Sequence, residues 1–500
     1  MFLRGDVVTP TLGGHTWFEK PALLYWLMMA SYKLFGVTEF SARLGPAICG
    51  VLTSLAVVWI VRRARIIANE SDSSTELLAG LITASSTGLV AFSRGASFHI
   101  VLTATLTVTL GCFLLAEIES EQRSRSAYLA GFYAGIGLSL LAKGLVGVVI
   151  PVGVVALYYL LQRKWPRRGV IVSAFWGSPI SVLVAAIWYL PVIHRHGWQF
   201  VNEFFVQHHF ARYVSDKYHH SEPVYYYLLI FWLLVLPWSA YVAEGMIRFA
   251  KSRFKSTSIA PKLELFSMAW VILPIAFFSL SGSKLPGYIL PVVPAASILA
   301  TKALLLMAEQ RSFRWPSYLT GGLLLTLAIG STFLIKQPGG VPVGSVLALA
   351  LAFTVAGVGV VVLGRRHLEC ITLTGAAWAV AILVTLLLIA PRLVDRQSMK
   401  RPLEEARNLG YGAAPIVEMH TIERTTEFYA ADRLIRAPDG EVLKLEGIPP
   451  LIGLLGERNT PLLVVVPVSL SFQLTTSPVL TSQEIADNGS FALIAVSIKR

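Results

Sequence analysis

The residues of this chain that could do chemistry stand at the ends of long apolar runs. They are cations and imidazoles with a single carboxylate, namely Glu19, Lys20, Arg94, His99, Lys143, His208, His209, Arg212, His219, His220 and Lys284. Ionisable groups are costly in or beside a bilayer, so they are functional candidates by default. Lysine offers a point charge to phosphate, and arginine binds phosphate through two parallel hydrogen bonds. The set therefore suits a phosphate-bearing ligand delivered within one membrane leaflet.

The composition of the chain is that of a membrane protein. Apolar residues make up 55% of the 500 residues and charged residues only 14%, whereas a soluble chain carries about 25% charged residues. Repeated apolar runs have the length of about 18 residues or more that crosses a bilayer as a helix. These features exclude a soluble enzyme, a disordered chain and a collagen-like fibre. The net charge of +13 is explained by basic loops, so no nucleic-acid partner is predicted.

The apolar runs between charge clusters predict an α-helical polytopic membrane protein with about twelve membrane helices. Their predicted positions are 44–62, 77–93, 99–117, 127–142, 144–162, 169–192, 225–246, 263–281, 287–307, 317–335, 342–363 and 369–390. The two spans within 127–162 are predicted to form one hairpin that is broken near Lys143 and Gly144.

The orientation of the spans follows from their basic loops, because cytoplasmic loops are enriched in lysine and arginine. Alternate loops hold such clusters at 62–65, 123–125, 163–168, 248–262, 311–314 and 365–366. If these loops are cytoplasmic, the candidate residues lie at the outer face. An outer first segment needs something upstream to carry it across the membrane, so we expect one further helix before Met1.

Three domains are predicted. Residues 1–42 form an outer-face loop and juxtamembrane helix, residues 43–390 form the transmembrane domain, and residues 391–500 form a small soluble α/β domain on the outer side. The last domain is predicted from the apolar runs at 461–467 and 491–498, which have the length of strands. It contains no catalytic motif, and we expect it to cover the site or to meet an acceptor.

Several candidate residues also have a purely structural interpretation. Lys20 and Lys143 have the positions of snorkelling anchors, Lys284 stands in a tight polar turn at 281–286, and His99 could be a core histidine. His209 and Arg212 are three residues apart and share a face if their segment is helical. The nearby histidines invite a metal site, although neither an HExxH motif nor paired Cys/His spacing supports one.

Together these segments resemble the polyprenyl-phosphate-sugar-dependent glycosyltransferases of the GT-C class. The closest resemblance is to the ArnT-like 4-amino-4-deoxy-L-arabinose transferases and the related protein O-mannosyltransferases. The matching pieces run in family order at 5–10, 18–26, 34–36, 42–44, 142–144, 204–212 and 283–291. The family has thirteen spans and an outer-face soluble domain, which fits twelve predicted spans with one missing.

The resemblance implies inverting transfer of a sugar from a polyprenyl-phosphate donor to a lipid (lipid A-like), glycan or protein acceptor. It implies that Lys20 binds the donor phosphate, with Arg212 as a weaker candidate. Lys143 and Lys284 are further donor-phosphate candidates because of their place at the outer face. By the same resemblance, Glu19 and His209 would be ligands of a divalent metal, either Zn or Mg/Mn. The multi-pass chain would lie in a bacterial inner (plasma) membrane, with the site and the C-terminal domain on the periplasmic side.

The resemblance leaves the catalytic residue unknown. The family's general base is an Asp that would fall upstream of Met1, and Asp6 is not its equivalent. A second family Asp corresponds to His99, which removes an anionic acceptor and weakens the expectation of full activity.

Two other functions remain open from the sequence. A transporter or flippase of lipid-linked anionic substrates would show related halves and charged or broken helices near the bilayer midplane. An inactive truncated homologue would share the family's segments without its chemistry. Since neither a GxxxxGK[ST] loop nor a GxGxxG turn after a strand is present, no nucleotide cofactor is predicted.

Overall fold

The computed structural model shows a mostly helical chain with one mixed sheet near its C-terminus. The described residues are 1–12, 15–70, 74–211, 222–251, 259–310, 315–336, 341–364, 366–395, 398–458 and 460–499. Within helices, the side chains at 74, 208–211, 259–261, 309–310, 336 and 431 are not described. His209 is therefore placed by its backbone alone, and Arg212 lies outside the described residues.

The helices are numbered in chain order. They are α1 Leu23–Phe35, α2 Glu39–Ala68, α3 Ser74–Ser85, α4 Thr87–Ser93, α5 Phe98–Ile118, α6 Gln122–Lys143, α7 Val146–Gln162, α8 Arg168–Val201, α9 Tyr226–Leu234, α10 Ser239–Lys251, α11 Ile259–Ser279, α12 Val293–Gln310, α13 Trp315–Thr332, α14 Val343–Leu363, α15 His367–Val384, α16 Ala390–Asp395, α17 Lys400–Ala406, α18 Arg424–Tyr429, α19 Ile448–Arg458 and α20 Phe472–Thr475. Short 3₁₀ or π-helical segments lie at Phe2–Arg4, Asn202–Ala211, Pro286–Val292, Phe333–Lys336, Thr385–Ile389, Arg407–Tyr411, Ala431–Arg433 and Val468–Leu470.

Each predicted membrane span coincides with helical segments, which confirms a polytopic membrane protein. In the described part of the chain, eight helices are long and apolar enough to cross a bilayer, or up to ten if each of two bent pairs is one span. The other two predicted spans are α6 and α7. Polar residues in the first turns of α6 dilute its apolar run, and α7 has only 17 residues. The count of twelve is therefore higher than length and composition support.

The hairpin that was predicted within 127–162 is confirmed. Helix α6 ends at Lys143, and Gly144 adopts a φ of +72°, a conformation that favours glycine. The Gly144 N–H donates to the Leu140 carbonyl at 2.8 Å, and α7 begins at Val146. The turn places the ammonium-bearing end of α6 at the start of α7.

Two helix breaks meet each other in the transmembrane region. Helices α3 and α4 are bent by 59° and helices α9 and α10 by 114°. At the first break the Thr87 N–H has lost its helical partner, and it donates to the Leu236 carbonyl of the second break at 3.0 Å. The Thr87 hydroxyl donates to the same carbonyl at 3.2 Å. Backbone polar groups in a membrane must be hydrogen-bonded within the protein. The carbonyl at the second break accepts the hydrogen bond that the N–H at the first break cannot make within its own helix.

Helix α5 is at the centre of the helical core. Of the eight apolar helices, it and the segment Pro286–Ala308 are the most buried, with 72% and 83% of their apolar windows inside the protein. Helix α2 begins at a capping box, in which the Thr38 hydroxyl accepts from the Ser41 N–H at 3.1 Å and the Ser41 hydroxyl accepts from the Thr38 N–H at 3.0 Å.

The C-terminal sheet has the strand order β4-β3-β5-β7-β6. Its strands are β3 Ile416–Met419, β4 Lys444–Leu445, β5 Leu462–Pro467, β6 Leu480–Asp487 and β7 Phe491–Ile498, and a short pair β1 Thr11–Leu12 and β2 His15–Thr16 lies near the N-terminus. β3 pairs in parallel with β4 and β5, whereas β7 pairs antiparallel with β5 and β6. β5 is buried on both faces, as its unbroken apolar run predicts. The predicted strands at 461–467 and 491–498 are confirmed.

The chain divides into two compact units. The first contains residues 1–10, 16–325 and 355–379, and the second contains residues 11–15, 326–354 and 380–500. The first unit holds α1 to α12, and the second holds the five-stranded sheet. The domain boundaries predicted at 42 and 390 stay predictions.

Candidate functional site

The N-terminal segment is fixed against the end of α8 by Asp6 and Thr9. The Asp6 carboxylate accepts from the Val8 N–H at 2.9 Å and from the Arg195 guanidinium at 2.8 Å. The Thr9 hydroxyl lies 2.8 Å from Nε2 of His196. Burial alone would raise the pKa of Asp6, but the hydrogen bonds from Val8, Thr9 and Arg195 outweigh it and lower that pKa. Asp6 therefore has a structural partner at the surface.

An aromatic cluster supports the segment that carries Glu19 and Lys20. The Phe18 side chain is only 2% exposed, and its ring lies 5.2 Å from that of Phe200 in an edge-to-face arrangement. The indole N–H of Trp188 donates to the Val8 carbonyl at 2.8 Å, which ties the same cluster to the N-terminal segment. The position of Glu19 and Lys20 is therefore set by packing against α8.

Glu19 and Lys20 form an ion pair at the entrance to α1. Nζ of Lys20 lies 2.6 Å from Oε1 of Glu19, and both side chains are about one-fifth exposed. Burial and the charge of Glu19 raise the pKa of Tyr25, so the phenol of Tyr25 stays protonated beside this pair. A partly exposed ion pair contributes only about 0–1 kcal/mol to stability. The fold therefore depends little on this pair.

Tyr25 on α1 contacts the start of α5. Its ring lies 5.5 Å from that of Phe98, edge to face. The next residue is His99, whose Nδ1 lies 2.9 Å from Nζ of Lys143 at the end of α6. An ammonium has no lone pair to offer, so Lys143 donates and the ring proton of His99 is on Nε2. His99 thus presents an N–H on its other side.

Tyr288 completes the surroundings of His99 and Lys143. Nζ of Lys143 lies 4.4 Å from the centre of the Tyr288 ring, within the range of a cation–π contact. The Tyr288 ring lies 5.6 Å from that of His99. Gly287 is needed for this approach, because a Cβ at that position would lie 2.6 Å from Cγ of His99 and 2.7 Å from the Phe92 ring. We call His99, Lys143 and Tyr288 the His–Lys–Tyr cluster.

Lys284 is on the loop that leads to Tyr288. Its side chain is buried, at 7% exposure, and Nζ donates to the Ser281 carbonyl at 2.7 Å. The Tyr227 hydroxyl of α9 fixes the loop, because it donates to the Leu285 carbonyl and accepts from the Leu285 N–H, each at 3.1 Å. The predicted tight polar turn is present, and its ammonium is held within it.

The structure brings some predicted site residues together and leaves others untested. Lys143 and His99 are in direct contact. Glu19 and Lys20 pair with each other, and Tyr25, further along the chain, contacts Phe98 beside His99. His209 belongs to the π-helical segment Asn202–Ala211, without a described side chain, and Arg212 lies outside the described residues. The assignment of Lys20, Arg212, Lys143 and Lys284 to a donor phosphate stays a prediction.

The metal site is likewise untested. Among the described side chains, no group of three or more His, Cys, Asp or Glu residues is arranged to hold a metal ion. Of the two predicted ligands only Glu19 has a described side chain, and its carboxylate faces the Lys20 ammonium, which a divalent cation would have to displace. The metal site predicted at Glu19 and His209 therefore stays a prediction.

Sequence reasoning missed Arg195, His196 and Tyr227. Arg195 and His196 follow the apolar run of α8, and the rule that singled out Lys143 at the end of α6 applies to them equally. No sequence pattern singles out Tyr227, because its aromatic run predicts only lipid contact. Its hydroxyl is brought to Leu285 by the tertiary fold.

Comparisons with known proteins agree with this architecture. A family model described as dolichyl-phosphate-mannose-protein mannosyltransferase matches residues 3–251. An undecaprenyl phosphate-alpha-4-amino-4-deoxy-L-arabinose arabinosyl transferase of Aeromonas salmonicida is 32% identical over 327 residues, or 64% of this chain and 57% of the relative. A protein of the same name from Pseudomonas paraeruginosa is 30% identical over 345 residues, or 68% of this chain and 60% of the relative. The chain thus covers less than two thirds of the length of these relatives.

Solved structures extend the similarity over the whole chain. The crystal structure of ArnT from Cupriavidus metallidurans bound to undecaprenyl phosphate aligns with a TM-score of 0.77 at 23% identity, covering 99% of this chain and 91% of that one. The apo structure of the same protein aligns with a TM-score of 0.78 at 22% identity. The chain belongs to the ArnT-like GT-C family. The resemblance inferred from its motifs is confirmed, and the family model includes Glu19, Lys20, His99 and Lys143 but ends before Lys284.

Proposed function

We propose that this ArnT-like protein is an integral-membrane glycosyltransferase. It takes a sugar from a polyprenyl-phosphate donor and transfers it to a membrane lipid of the lipid A type, at the periplasmic face of a bacterial inner membrane. The names of its relatives, which describe arabinosyl transfer from undecaprenyl phosphate, support the donor class. Its described apolar helices are long enough to place the chain in a bilayer, from which a prenyl tail would enter the site.

The observation that carries this proposal is the contact between Lys143 and His99 beside Tyr288. A lysine ammonium over an aromatic ring, next to an imidazole N–H, forms a site with hydrogen-bond donors and positive charge. We assign a second positive charge to the Lys20 ammonium, which pairs with Glu19 at the entrance to α1. Such a group of donors suits a phosphate that arrives within the membrane.

The chemistry requires these charges. During transfer an acceptor oxygen bonds to the anomeric carbon while the bond from that carbon to the phosphate oxygen breaks. The polyprenyl phosphate gains a negative charge as it leaves. Preorganised ammonium groups stabilise charge that develops in a transition state, and this is the role we assign to Lys143 and Lys20. A phosphate acceptor attacks as an anion, whereas a hydroxyl acceptor must also lose its proton to a base.

The helix ends support the proposed orientation. The start of α5 and the end of α6 share the His99–Lys143 contact. At the opposite end of α5, Glu117 accepts from the Tyr159 hydroxyl at 2.8 Å and lies 3.9 Å from Arg167. Arg167 belongs to the basic cluster at 163–168, and such clusters favour the cytoplasm. The His–Lys–Tyr cluster is at the other end, on the periplasmic side of the proposed orientation.

A reconstitution assay tests the proposal. The full chain in liposomes is given polyprenyl-phosphate aminoarabinose and lipid A, and the acceptor is analysed by mass spectrometry. We expect a mass increase of one sugar, which Lys143→Met reduces and Lys164→Met, an exposed lysine in the opposite loop, leaves unchanged. Counterflow of labelled donor without transfer, over a panel of donors and acceptors, would favour the transporter and overturn the proposal.

A further inference from the structure

A charged cavity lies where the last membrane helix continues into the sheet-bearing part of the chain. Its volume is about 420 Å³, within the range of small-molecule sites. Three elements of the second unit form it, namely the end of α16, the start of α17 and the turn between β6 and β7. Its lining residues are Arg392, Asp395, Arg401, Pro402, Asp487, Asn488 and Gly489.

The β6–β7 turn forms a rigid wall of this cavity. The Asp487 carboxylate accepts from the Gly489 N–H at 2.7 Å, and Gly489 adopts a φ of +85° that favours glycine. The buried Asn488 side chain accepts from the Phe491 N–H at 2.8 Å and donates to the Ser398 carbonyl at 3.2 Å. The turn is thereby tied to the segment that precedes α17.

The cavity is placed at the level of lipid headgroups. The apolar helix His367–Asp395 ends at one of its lining residues. Leu387, Leu388 and Val394 on this helix are about half exposed or more, as expected of lipid-facing side chains. Arg392 and Asp395 lie at the end of the same helix, where long charged side chains extend into the headgroup region.

The cavity walls carry charges of both signs. Arg392 and Arg401 come from two different helices, and Asp395 and Asp487 come from a helix and a turn. A ligand with only negative charge would be repelled by the two carboxylates, and one with only positive charge by the two guanidinium groups. A ligand that carries both charges a few bonds apart matches the lining.

We propose that this cavity binds the phosphoethanolamine headgroup of a phospholipid. The guanidinium groups of Arg392 and Arg401 bind the phosphate, because arginine matches phosphate with two hydrogen bonds. The carboxylates of Asp395 and Asp487 accept from the primary ammonium. A choline headgroup has no N–H to donate, and a glycerol headgroup has no positive charge. Lipid binding at this cavity does not require the proposed transfer reaction.

Native mass spectrometry of the full chain tests this assignment. The detergent-solubilised protein is mixed with equal amounts of phosphatidylethanolamine, phosphatidylcholine and phosphatidylglycerol of the same acyl chains. We expect phosphatidylethanolamine to be retained preferentially. Arg401→Gln should weaken its binding about tenfold, as expected for the loss of a charge-assisted hydrogen bond. Asp487→Asn keeps an oxygen for the Gly489 N–H and should reduce the preference for ethanolamine over choline.

The controls make each outcome decisive. Arg458→Gln removes an exposed arginine from α19 and should leave lipid binding unchanged. Equal retention of the three lipids, or unchanged binding by both cavity variants, would overturn the proposal. Binding of soluble glycerophosphoethanolamine as tightly as the lipid would contradict a lipid site. Arg401→Gln should keep the transfer activity of the wild-type chain, so failure here is distinguishable from failure of the proposed function.

Discussion

Nζ of Lys143 lies 2.9 Å from Nδ1 of His99 and 4.4 Å from the centre of the Tyr288 ring. These contacts join the end of α6, the start of α5 and the segment Pro286–Val292, which are far apart in sequence. The ammonium is held between an imidazole nitrogen that accepts a hydrogen bond from it and an aromatic face that is attracted to its charge. In the proposed transfer, this lysine would meet the phosphate with its position already set.

Replacing Lys143 should slow transfer without unfolding the chain. Lys143→Met keeps the length of the side chain but removes the charge that we assign to the leaving phosphate. We expect kcat to fall roughly 100- to 1,000-fold, as for the loss of one electrostatic contact to a transition state. Steady-state kinetics with Lys164→Met as the matched control measures this change. Wild-type kcat in Lys143→Met would remove Lys143 from the mechanism.

Gly287 should not tolerate a methyl group. Gly287→Ala places a Cβ 2.6 Å from Cγ of His99, so the imidazole or the backbone must move. Overpacking of this kind costs about 1–3 kcal/mol. Thermal unfolding in detergent should show a lower Tm. Gly322→Ala is the matched control, because its added Cβ would meet nothing within 4 Å, and an equal loss of Tm in both variants would contradict the packing argument.

The Asp6–Arg195 pair should give a pH-dependent contribution to stability. The pKa of Asp6 is lowered in the fold, so its contribution is full above the ordinary aspartate pKa of about 3.9 and is lost as the pH falls through the lower folded value. Asp6→Asn should therefore be less stable than wild type at neutral pH, and the difference should close in acid. Thermal unfolding of both proteins from pH 7 to pH 2 checks the sign. A constant difference over this range would show that Asp6 acts without its charge.

Glu418 should destabilise the C-terminal sheet at alkaline pH. Its carboxyl is fully buried in β3, and burial raises its pKa to about 7. The unfolded chain releases this proton near the ordinary glutamate pKa of about 4.3, so stability falls as the pH rises from there towards 7. Glu418→Gln keeps an oxygen for the Glu423 N–H. Above pH 7 its free energy of unfolding should exceed that of wild type by up to about 3 kcal/mol.

Unfolding of full-length Glu418→Gln and wild type between pH 5 and pH 9 measures this gap. Glu484→Gln on the exposed edge strand β6 is the matched control and should show a small effect at every pH. If the difference in free energy of unfolding between Glu418→Gln and wild type became smaller with rising pH, the raised pKa of Glu418 would be contradicted.

Much of the fold could be predicted from the sequence, because apolar run length reports directly on burial in a membrane. The runs located the membrane helices, and the short runs at 461–467 and 491–498 located β5 and β7. The run at 77–93 could not reveal the break at Ser86, because hydropathy is the same along a straight helix and a bent one. The pairing of Thr87 with Leu236 depends on two helices that are adjacent only in the folded chain.

The candidate site was predictable in its residue types but not in its contacts. The rule that charged groups at helix ends are functional candidates selected Lys143, His99 and Lys284. It could not show that Lys143 contacts His99 whereas Lys284 turns back to its own loop at Ser281. These contacts depend on the relative rotation of α5, α6 and the loop, which no periodicity within one segment encodes.

The Tyr227 hydroxyl is hydrogen-bonded to both the N–H and the carbonyl of Leu285. One side chain of α9 thus satisfies both backbone groups of a loop residue, as a neighbouring strand does in a sheet. No flexible spacer separates that anchor from Lys284. If α9 tilted about its break, the loop would therefore move with it, and the Lys284 ammonium would be displaced by the motion of the helix.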